Sequence, residues 1–332
     1  IGRYLRALYR AIDDSRACTT VYRLGAGVRQ ELPPVRLTGP AHRYLPGWLR
    51  TPAHEARVHF EDLAARRVQR AHGHFDLYHE TEVVPGSLAG GLPQVITVHD
   101  LSLLHWPECH PPERVRVFER HCARRIGDCA AVITPTEEIR REFLEAYDYP
   151  ADRVHAIAEA PGPAFLHAAA RPADPVPALP DRYLLHVGTR EPRKNLANAV
   201  RALAFVPGDV RLVLAGGPGW GDTALADLPP SLTRRVIDLG CPSDATLAAL
   251  YQRALALVLV SRYEGFGLPI VEAFQCGCPV ICSGRGALDE VAGNAALRVD
   301  PDDPEDIGRT MARVCEDEGL RGLLRAGGLD RA

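Results

Sequence analysis

The stretch Ala254-Leu-Ala-Leu-Val-Leu-Val-Ser-Arg-Tyr-Glu-Gly-Phe-Gly-Leu-Pro-Ile-Val-Glu-Ala273 decides the fold of the second half of this chain. Its first eight residues are almost entirely apolar, which is typical of a strand buried on both faces of a parallel sheet. Gly265 and Gly267 then indicate a turn, and Pro269 fits the first position of a helix. A buried strand that leads through a glycine turn into a helix predicts a parallel α/β sheet.

Apolar runs and helical patterns alternate over nearly the whole chain. The predicted strands are 75–79, 94–99, 130–134, 183–188, 210–216, 235–240, 254–261 and 279–283. In the first half, Thr134-Pro-Thr-Glu137 predicts a capping box with Pro135 at the first helical position. Strands separated by helices imply parallel sheets with right-handed crossovers.

The length of 332 residues favours two domains, because one core rarely grows to that size. A proline-rich segment without periodicity, Ala160 to Pro180, indicates the connector. We therefore predict two doubly wound, Rossmann-like α/β domains, 1–170 and 171–332. Facing domains of this kind would form a cleft at the carboxyl ends of their strands, where open α/β sheets bind ligands.

Composition narrows the class of protein. A net charge of -3 with 46% apolar and 24% charged residues is ordinary for a soluble globular protein and argues against nucleic acid as a partner. No apolar run reaches the roughly 18 residues of a membrane span, and no signal peptide is visible. The prediction is a cytoplasmic protein, with peripheral contact on the inner face of the cell membrane left open.

The nine cysteines suggest reduced thiols rather than a disulfide framework. Cys276, Cys278 and Cys282 surround an apolar pair, so a buried strand is favoured over a metal cluster. The close histidines His72, His74 and His79 lack a ligand pattern of known spacing. The sequence therefore predicts no metal site and no bound cofactor.

The chain has 38 arginines but a single lysine, Lys194, within Gly188-Thr-Arg-Glu-Pro-Arg-Lys-Asn195. Because lysine is a compact point charge without the planar fork of arginine, its retention here indicates a specific requirement. The segment lies between a predicted strand and a predicted helix. Such junctions bind anions through unpaired N–H groups, and Arg190 adds a second cation.

Two carboxylates flank the glycine turn of the opening stretch: Glu264 lies on the loop and Glu272 one turn into the helix. The N–H groups of Phe266, Gly267 and Leu268 are predicted to point outward at the helix N-terminus. The run from Glu264 to Glu272 resembles the E-x7-E signature of glycosyltransferase family 4, retaining enzymes of the two-Rossmann GT-B fold.

Other segments resemble the same family in the same order. The loop from Gly188 to Asn195 is similar to its G-x5-K-N loop, and Ala215-Gly-Gly217 to the following strand end. The segment Asp238 to Tyr251 is similar to the part that receives the nucleobase. Cys241-Pro242 departs from the family pattern, because Pro242 lacks a backbone N–H that could contact the base.

The resemblance implies roles for these residues. Glu264 would accept hydrogen bonds from donor-sugar hydroxyls, Glu272 would hold the ribose, and Arg190 with Lys194 would neutralise the diphosphate without a metal. His99, at the end of a strand, would contact the sugar near its reacting carbon, and Gly2 would belong to a glycine loop. The implied donor site comprises Gly2, Gly188, Arg190, Lys194, Gly216, Gly240, Cys241, Glu264, Gly265, Phe266, Gly267, Leu268 and Glu272. Relative to the family, a first strand and a C-terminal crossover helix are expected to be absent.

The resemblance is strongest to mannosyl- and rhamnosyltransferases of bacterial polysaccharide assembly. It implies transfer of a hexose, with GDP-mannose the favoured donor, to a glycan or lipid-linked acceptor. A nucleotide-sugar 2-epimerase of the same fold and a non-catalytic nucleotide-sugar-binding partner are the alternatives; a dinucleotide oxidoreductase fits the glycine spacing least well. An arginine-rich helix either meets anionic lipid or is a solvated face. Its arginines are Arg114, Arg116, Arg120, Arg124 and Arg125.

Overall fold

The computed structural model describes residues 21–23, 27–29, 52, 56, 63, 76–80, 92–171, 176, 179–220 and 225–332. The chain divides into two compact units, Ile1–Ala158 and Glu159–Ala332. Residues 159–170, which were predicted to belong to the first domain, group with the second unit.

The first unit contains a parallel sheet of four strands in sequence order: β3 (Tyr78–Glu80), β4 (Gln94–Thr97), β5 (Ala131–Thr134) and β6 (Val154–Ala156). A separate antiparallel hairpin is formed by β1 (Val21–Arg23) and β2 (Gly27–Arg29). The helices described here are α1 (Ser102–His105), α2 (Pro112–Gly127) and α3 (Glu137–Ala146). The sheet and its helices bury a core that includes Ile96, Phe118, Val132 and Phe143.

The start of α3 differs from the prediction. The N-cap is Thr136, whose hydroxyl accepts a hydrogen bond from the backbone N–H of Ile139, so Pro135 precedes the helix. The reason is that Thr134 still belongs to β5, and its hydroxyl donates to the carbonyl of Thr136. Because Thr134 belongs to the strand, the hydroxyl of Thr136 caps the helix instead and accepts from an unpaired N–H of its first turn.

The second unit contains a parallel sheet of six strands. They are β7 (Tyr183–Val187), β8 (Arg211–Ala215), β9 (Val236–Asp238), β10 (Ala256–Leu259), β11 (Val280–Ser283) and β12 (Leu297–Val299). Their order in the sheet is β12-β11-β10-β7-β8-β9. The chain winds from β7 to one edge and then returns to the other, so the order reverses between β7 and β10. In doubly wound sheets, ligands bind where the order reverses, at the carboxyl ends of the strands.

Helices separate these strands along the chain: α4 (Leu196–Arg201), α5 (Pro230–Thr233), α6 (Asp244–Arg253), α7 (Leu268–Gln275) and α8 (Gly286–Ala292). Two further helices, α9 (Pro304–Glu316) and α10 (Glu318–Arg331), follow the last strand. Alternate residues of β7 belong to different apolar clusters: Tyr183 and Leu185 to one, Leu184 to the other. The sheet is therefore buried on both faces, which explains the almost continuous apolar runs.

The three cysteines between residues 276 and 282 are core residues. Cys276, Cys278 and Cys282 are buried in the same apolar cluster. Burial raises the pKa of the Cys276 and Cys282 thiols to about 12 each, so both are protonated and apolar at neutral pH. Within the described ranges, no group of three or more His, Cys, Asp or Glu side chains is arranged to hold a metal ion.

Candidate functional site

Glycines line the exits of three neighbouring strands of the second sheet. The N–H of Gly188, after β7, donates to the carbonyl of Ala215 at 3.0 Å, and that of Gly216, after β8, donates to the carbonyl of Gly240 at 2.6 Å. A Cβ on Gly216 would lie 1.9 Å from the carbonyl oxygen of Gly188. A Cβ on Gly219 would meet the carbonyl of Arg190 at the same distance. This edge of the sheet is therefore a surface of peptide groups from which side chains are excluded at the points of contact.

The loops after β7 and β10 bring Lys194 and Glu264 together. Lys194 ends a 3-10 turn, Pro192–Lys194, and its Nζ donates to Glu264 Oε1 at 2.5 Å. The Ser261 hydroxyl donates to the same oxygen at 2.7 Å. The side chain of Glu264 is only 8% exposed and that of Lys194 14%. Two residues predicted separately from the sequence thus form one ion pair at the point where the strand order reverses.

Arg193 joins this ion pair, a contact that sequence analysis missed. One guanidinium nitrogen donates to Glu264 Oε2 at 3.2 Å. Burial raises the pKa of the Glu264 carboxyl, but Lys194 and Arg193 lower it by more, so the net pKa lies below its ordinary value. Glu264 is therefore ionised at neutral pH despite its burial. The sequence feature that could have indicated this contact is the position of Arg193 directly before the only lysine.

Arg190, which was predicted to act beside Lys194, is paired elsewhere. Its guanidinium donates to the carboxylate of Asp238, the last residue of β9. Burial raises the pKa of Asp238, but the backbone N–H of Gly240 and the guanidinium of Arg190 bring it below the ordinary value. The two predicted cations thus pair with different carboxylates, Lys194 with Glu264 and Arg190 with Asp238. Cys241, directly after Gly240, is exposed.

The helix α7 begins as the glycine turn predicts. Gly267 caps it in the left-handed region, with φ of 98°, and Phe266 is buried in the core. Among the backbone hydrogen bonds of the described turns, loops and helix caps, none has the N–H of Phe266 or of Gly267 as its donor. Leu268, the first residue of α7, is partly exposed, and Gly265 on the loop is buried. Unpaired N–H groups at a helix start favour an anion.

Glu272 lies on the buried side of α7. Its side chain has no exposed surface, and its Oε2 accepts a hydrogen bond from the Tyr251 hydroxyl of α6 at 3.0 Å. Glu264 and Glu272 therefore occupy different surroundings, the first in an ion pair on the loop and the second inside the domain. A contact between Glu272 and ribose stays a prediction.

Asn195 fixes the loop that carries Lys194. It has a left-handed backbone with φ of 58° and joins the 3-10 turn to α4. Its Nδ2 donates to the carbonyls of Val260, at 3.0 Å, and Pro301, at 2.6 Å. Asn198 donates to the same Pro301 carbonyl at 3.0 Å. Asparagine tolerates the left-handed region better than other residues with a Cβ, so one residue supplies both the turn and the bridge.

In the first unit, His99 follows β4 and is half-buried. His79 Nε2 forms a hydrogen bond with Thr97 Oγ1 at 2.8 Å, and the pKa of His79 is lowered by burial and by the nearby His99. Next along the chain, Asp100 Oδ1 accepts hydrogen bonds from the backbone and hydroxyl of Ser102. His99 therefore lies at the carboxyl end of a strand, as predicted, and its contact with a sugar stays a prediction. Gly2 lies outside the described residues.

The arginine-rich helix is α2. Arg116, Arg120 and Arg124 are exposed and spaced by four residues, so they form one stripe. Arg125, which was grouped with them, is buried, with 8% exposure, because it lies on the side of the helix that carries Cys122 and Ile126. Arg125 therefore fits neither alternative, a lipid-facing surface or a solvated face. Among the described helices, none is both long and apolar enough to cross a membrane.

Family models match both halves of the chain. The model described as "Glycosyltransferase Family 4" matches residues 1–159, and that described as "Glycosyl transferases group 1" matches residues 172–328. Among solved structures, sucrose-phosphate synthase from Thermosynechococcus elongatus is similar with a TM-score of 0.70 and 20% identity, over 94% of this chain and 80% of that one. HepE from Anabaena, solved with UDP and glucose, gives 0.60 and 18%, over 84% and 76%. The fold is therefore GT-B.

Two of the curated relatives are named as mannosyltransferases. O-antigen chain mannosyltransferase B of Escherichia coli is 36% identical over 250 residues, 72% of this chain and 65% of that protein. The serotype-specific mannosyltransferase WbdA of Escherichia coli is 31% identical over 276 residues, 78% of this chain and 33% of that protein. The chain thus spans less than two thirds of the length of either relative. Family models match both halves of the chain, and O-antigen chain mannosyltransferase B is 36% identical to it. The chain therefore belongs to glycosyltransferase family 4.

Proposed function

We propose that this protein is a retaining, metal-independent glycosyltransferase. It moves a hexose from a nucleotide-diphosphate sugar to a hydroxyl of a glycan or lipid-linked acceptor, with mannose favoured and rhamnose second. The observation that carries the proposal is the buried Lys194–Glu264 ion pair on the loops after β7 and β10, where the strand order reverses. The relatives named as mannosyltransferases support the choice of sugar.

The leaving diphosphate requires positive charge, because negative charge develops on it as the glycosidic bond breaks. Lys194 and the free N–H groups of Phe266 and Gly267 supply donors from two adjacent loops. Arg190 lies on the same loop after β7 as Lys194 and adds a further cation. Preorganised donors of this kind stabilise a developing anion without a divalent ion, and one such donor is typically worth about 3 to 4 kcal/mol.

Glu264 is suited to hold the hydroxyls of the donor sugar. It is ionised, its orientation is set by Lys194 and Ser261 on one oxygen and Arg193 on the other, and Oε2 retains capacity to accept further hydrogen bonds. Fixing the sugar while charge develops at its anomeric carbon is a transition-state interaction, so Glu264 should contribute mainly to kcat.

The nucleotide has a matching surface. The glycines at 188, 216 and 240 carry no side chains of their own, so a flat base and a diphosphate can approach the backbone closely at these positions. Cys241 borders these positions, and Glu272 is proposed to hold the ribose. In the first unit, His99 is proposed to contact the sugar. We also propose that the protein is cytoplasmic, with peripheral contact on the membrane.

Retention follows from where the leaving group is held. The diphosphate stays on the face from which the acceptor attacks, and its own oxygen takes the proton of the acceptor hydroxyl while the new glycosidic bond forms. The sugar passes from the phosphate oxygen to the acceptor oxygen, and the nucleoside diphosphate leaves with the proton. The new bond then has the anomeric configuration of the donor.

A panel of nucleotide sugars, incubated with and without an acceptor alcohol in EDTA, tests this function. We expect turnover of GDP-mannose only with acceptor, undiminished by EDTA, and an α product, read by NMR from the one-bond C–H coupling at the anomeric carbon. Donor turnover without acceptor would instead identify an epimerase. A β product, or an absolute need for magnesium or manganese, would contradict retention or metal independence.

A further inference from the structure

Arg193 makes side-chain hydrogen bonds to three described residues and is nearly buried. Its Nε donates to Glu191 Oε2 at 3.0 Å, and one terminal nitrogen donates both to the Tyr263 carbonyl, at 3.1 Å, and to Glu264 Oε2, at 3.2 Å. The side chains of Arg193 and Glu191 are 12% and 11% exposed. A guanidinium held on two sides at this burial has little freedom to move.

The same residue also links the two loops through its backbone. The carbonyl of Arg193 accepts a hydrogen bond from the N–H of Arg262 at 2.8 Å. Side chain and main chain of one residue thus tie the loop after β7 to the loop after β10. These are the loops that carry Lys194 and Glu264.

We propose that Arg193 is a positioning residue for sugar transfer: it holds Glu264 in its productive orientation and keeps Lys194 available for the diphosphate. This inference rests on the proposed function. The two carboxylate oxygens of Glu264 are divided between the cations, Oε1 with Lys194 and Oε2 with Arg193. Contacts on both oxygens fix the rotation of the carboxylate, which Lys194 alone would leave open.

The charge balance gives Arg193 its second effect. A lysine that was the sole cation beside Glu264 would be neutralised by it and would attract a diphosphate less strongly. Arg193 balances part of the negative charge of Glu264. The ammonium of Lys194 is therefore only partly neutralised and still attracts a diphosphate. Lysine at position 193 would keep a charge but lacks the fork that reaches Glu191, Tyr263 and Glu264 together.

The test compares Arg193→Lys and Arg193→Gln with Arg262→Gln as a matched control. Arg262 lies on the same loop as Glu264 but pairs with Asp302, at 2.8 Å, and is 37% exposed. We expect both Arg193 variants to lower kcat by about 10- to 100-fold, the range of one charge-assisted hydrogen bond. Nucleoside diphosphate affinity, by calorimetry, should fall only a few-fold, and the control should match the wild type in both.

A second readout does not depend on activity. Because Lys194 is the only lysine, acylation with an amine reagent, located by peptide mapping, reports on this one side chain. In Arg193→Gln the closer pairing of Lys194 with Glu264 should slow acylation several-fold, whereas Arg262→Gln should leave its rate unchanged.

The outcomes separate the two proposals. Unchanged kcat and acylation in the Arg193 variants overturn the positioning role. So does an equal loss of kcat, diphosphate affinity and melting temperature, since that pattern means that Arg193 only holds the loops folded. If the wild type transfers no sugar from any donor while acylation still slows in Arg193→Gln, the proposed function fails and the link between Arg193, Glu264 and Lys194 stands.

Discussion

Asn195→Ala should lower the free energy of unfolding of the second unit by about 2 to 5 kcal/mol. One part is the backbone: at φ of 58°, a residue with a Cβ that lacks the local hydrogen bonding of asparagine costs about 1 to 2 kcal/mol. The other part is the lost amide, which donates to two carbonyls from a position only 4% exposed. The Pro301 carbonyl keeps Asn198 as a donor, so the main loss is at Val260, about 1 to 3 kcal/mol.

Three variants separate these contributions. Asn195→Gly removes the amide but relieves the backbone, so it should be about 1 kcal/mol more stable than Asn195→Ala. Asn195→Asp keeps the shape but replaces the donor by a carboxylate facing two carbonyl oxygens, so it should gain nothing over glycine. Asn198→Ala is the control, because it loses one of two donors to the same carbonyl without any left-handed backbone.

Equilibrium unfolding in urea, followed by circular dichroism, measures the series. Equal stability of the alanine and glycine variants would refute the backbone cost. A glycine variant as stable as the wild type would refute the contribution of the two hydrogen bonds. Because residue 195 directly follows Lys194, the alanine variant should also bind nucleoside diphosphate less tightly than the Asn198 control.

Two further predictions concern the ion pair. Lys194→Ala should weaken nucleoside diphosphate binding and transfer by about 3 kcal/mol, with the protein still folded because Arg193 and Ser261 remain beside Glu264. Lys194→Arg should restore only part of this loss. Calorimetry that shows full affinity in the alanine variant would exclude the diphosphate role. The pKa of Glu264 lies below its ordinary value of 4.5, so its ionised form stabilises the fold above that pH and the contribution is lost as the pH falls through the folded pKa. Glu264→Gln should therefore show a flatter loss of stability below pH 4.5 than the wild type, and parallel acid limbs would contradict this.

The sequence was sufficient for most strands of the second sheet. It also singled out Lys194 and Glu264, which the fold brings into contact and whose roles in binding stay predictions. Buried parallel strands are nearly continuous apolar runs, and β7, β8, β10 and β11 all lie within predicted ranges. The short β12, only three residues long, gave too little apolar sequence to be recognised. Lys194 stood out because no other lysine exists, and Glu264 because it lies in a glycine turn between a strand and a helix.

Contacts between side chains were harder to predict. Arg190 and Arg193 both lie near Lys194 in sequence, and which of them reaches Glu264 depends on the 3-10 turn after Pro192 and on the position of Asp238. Helix periodicity likewise did not separate Arg125 from the exposed arginines of α2. The order of strands also escaped prediction, because the crossover rule fixes handedness but not the edge to which each new strand is added.

The close approach of Gly216 to the carbonyl of Gly188 has a consequence for how this protein can diverge. A contact made by peptide groups alone offers nothing for substitution to alter, since every residue other than glycine would collide with the backbone opposite. Changes in what this edge recognises must then arise at its borders, at positions such as the exposed Cys241 and the arginine at 190. Under the proposed function, the shared platform stays constant while its rim carries the variation between donors.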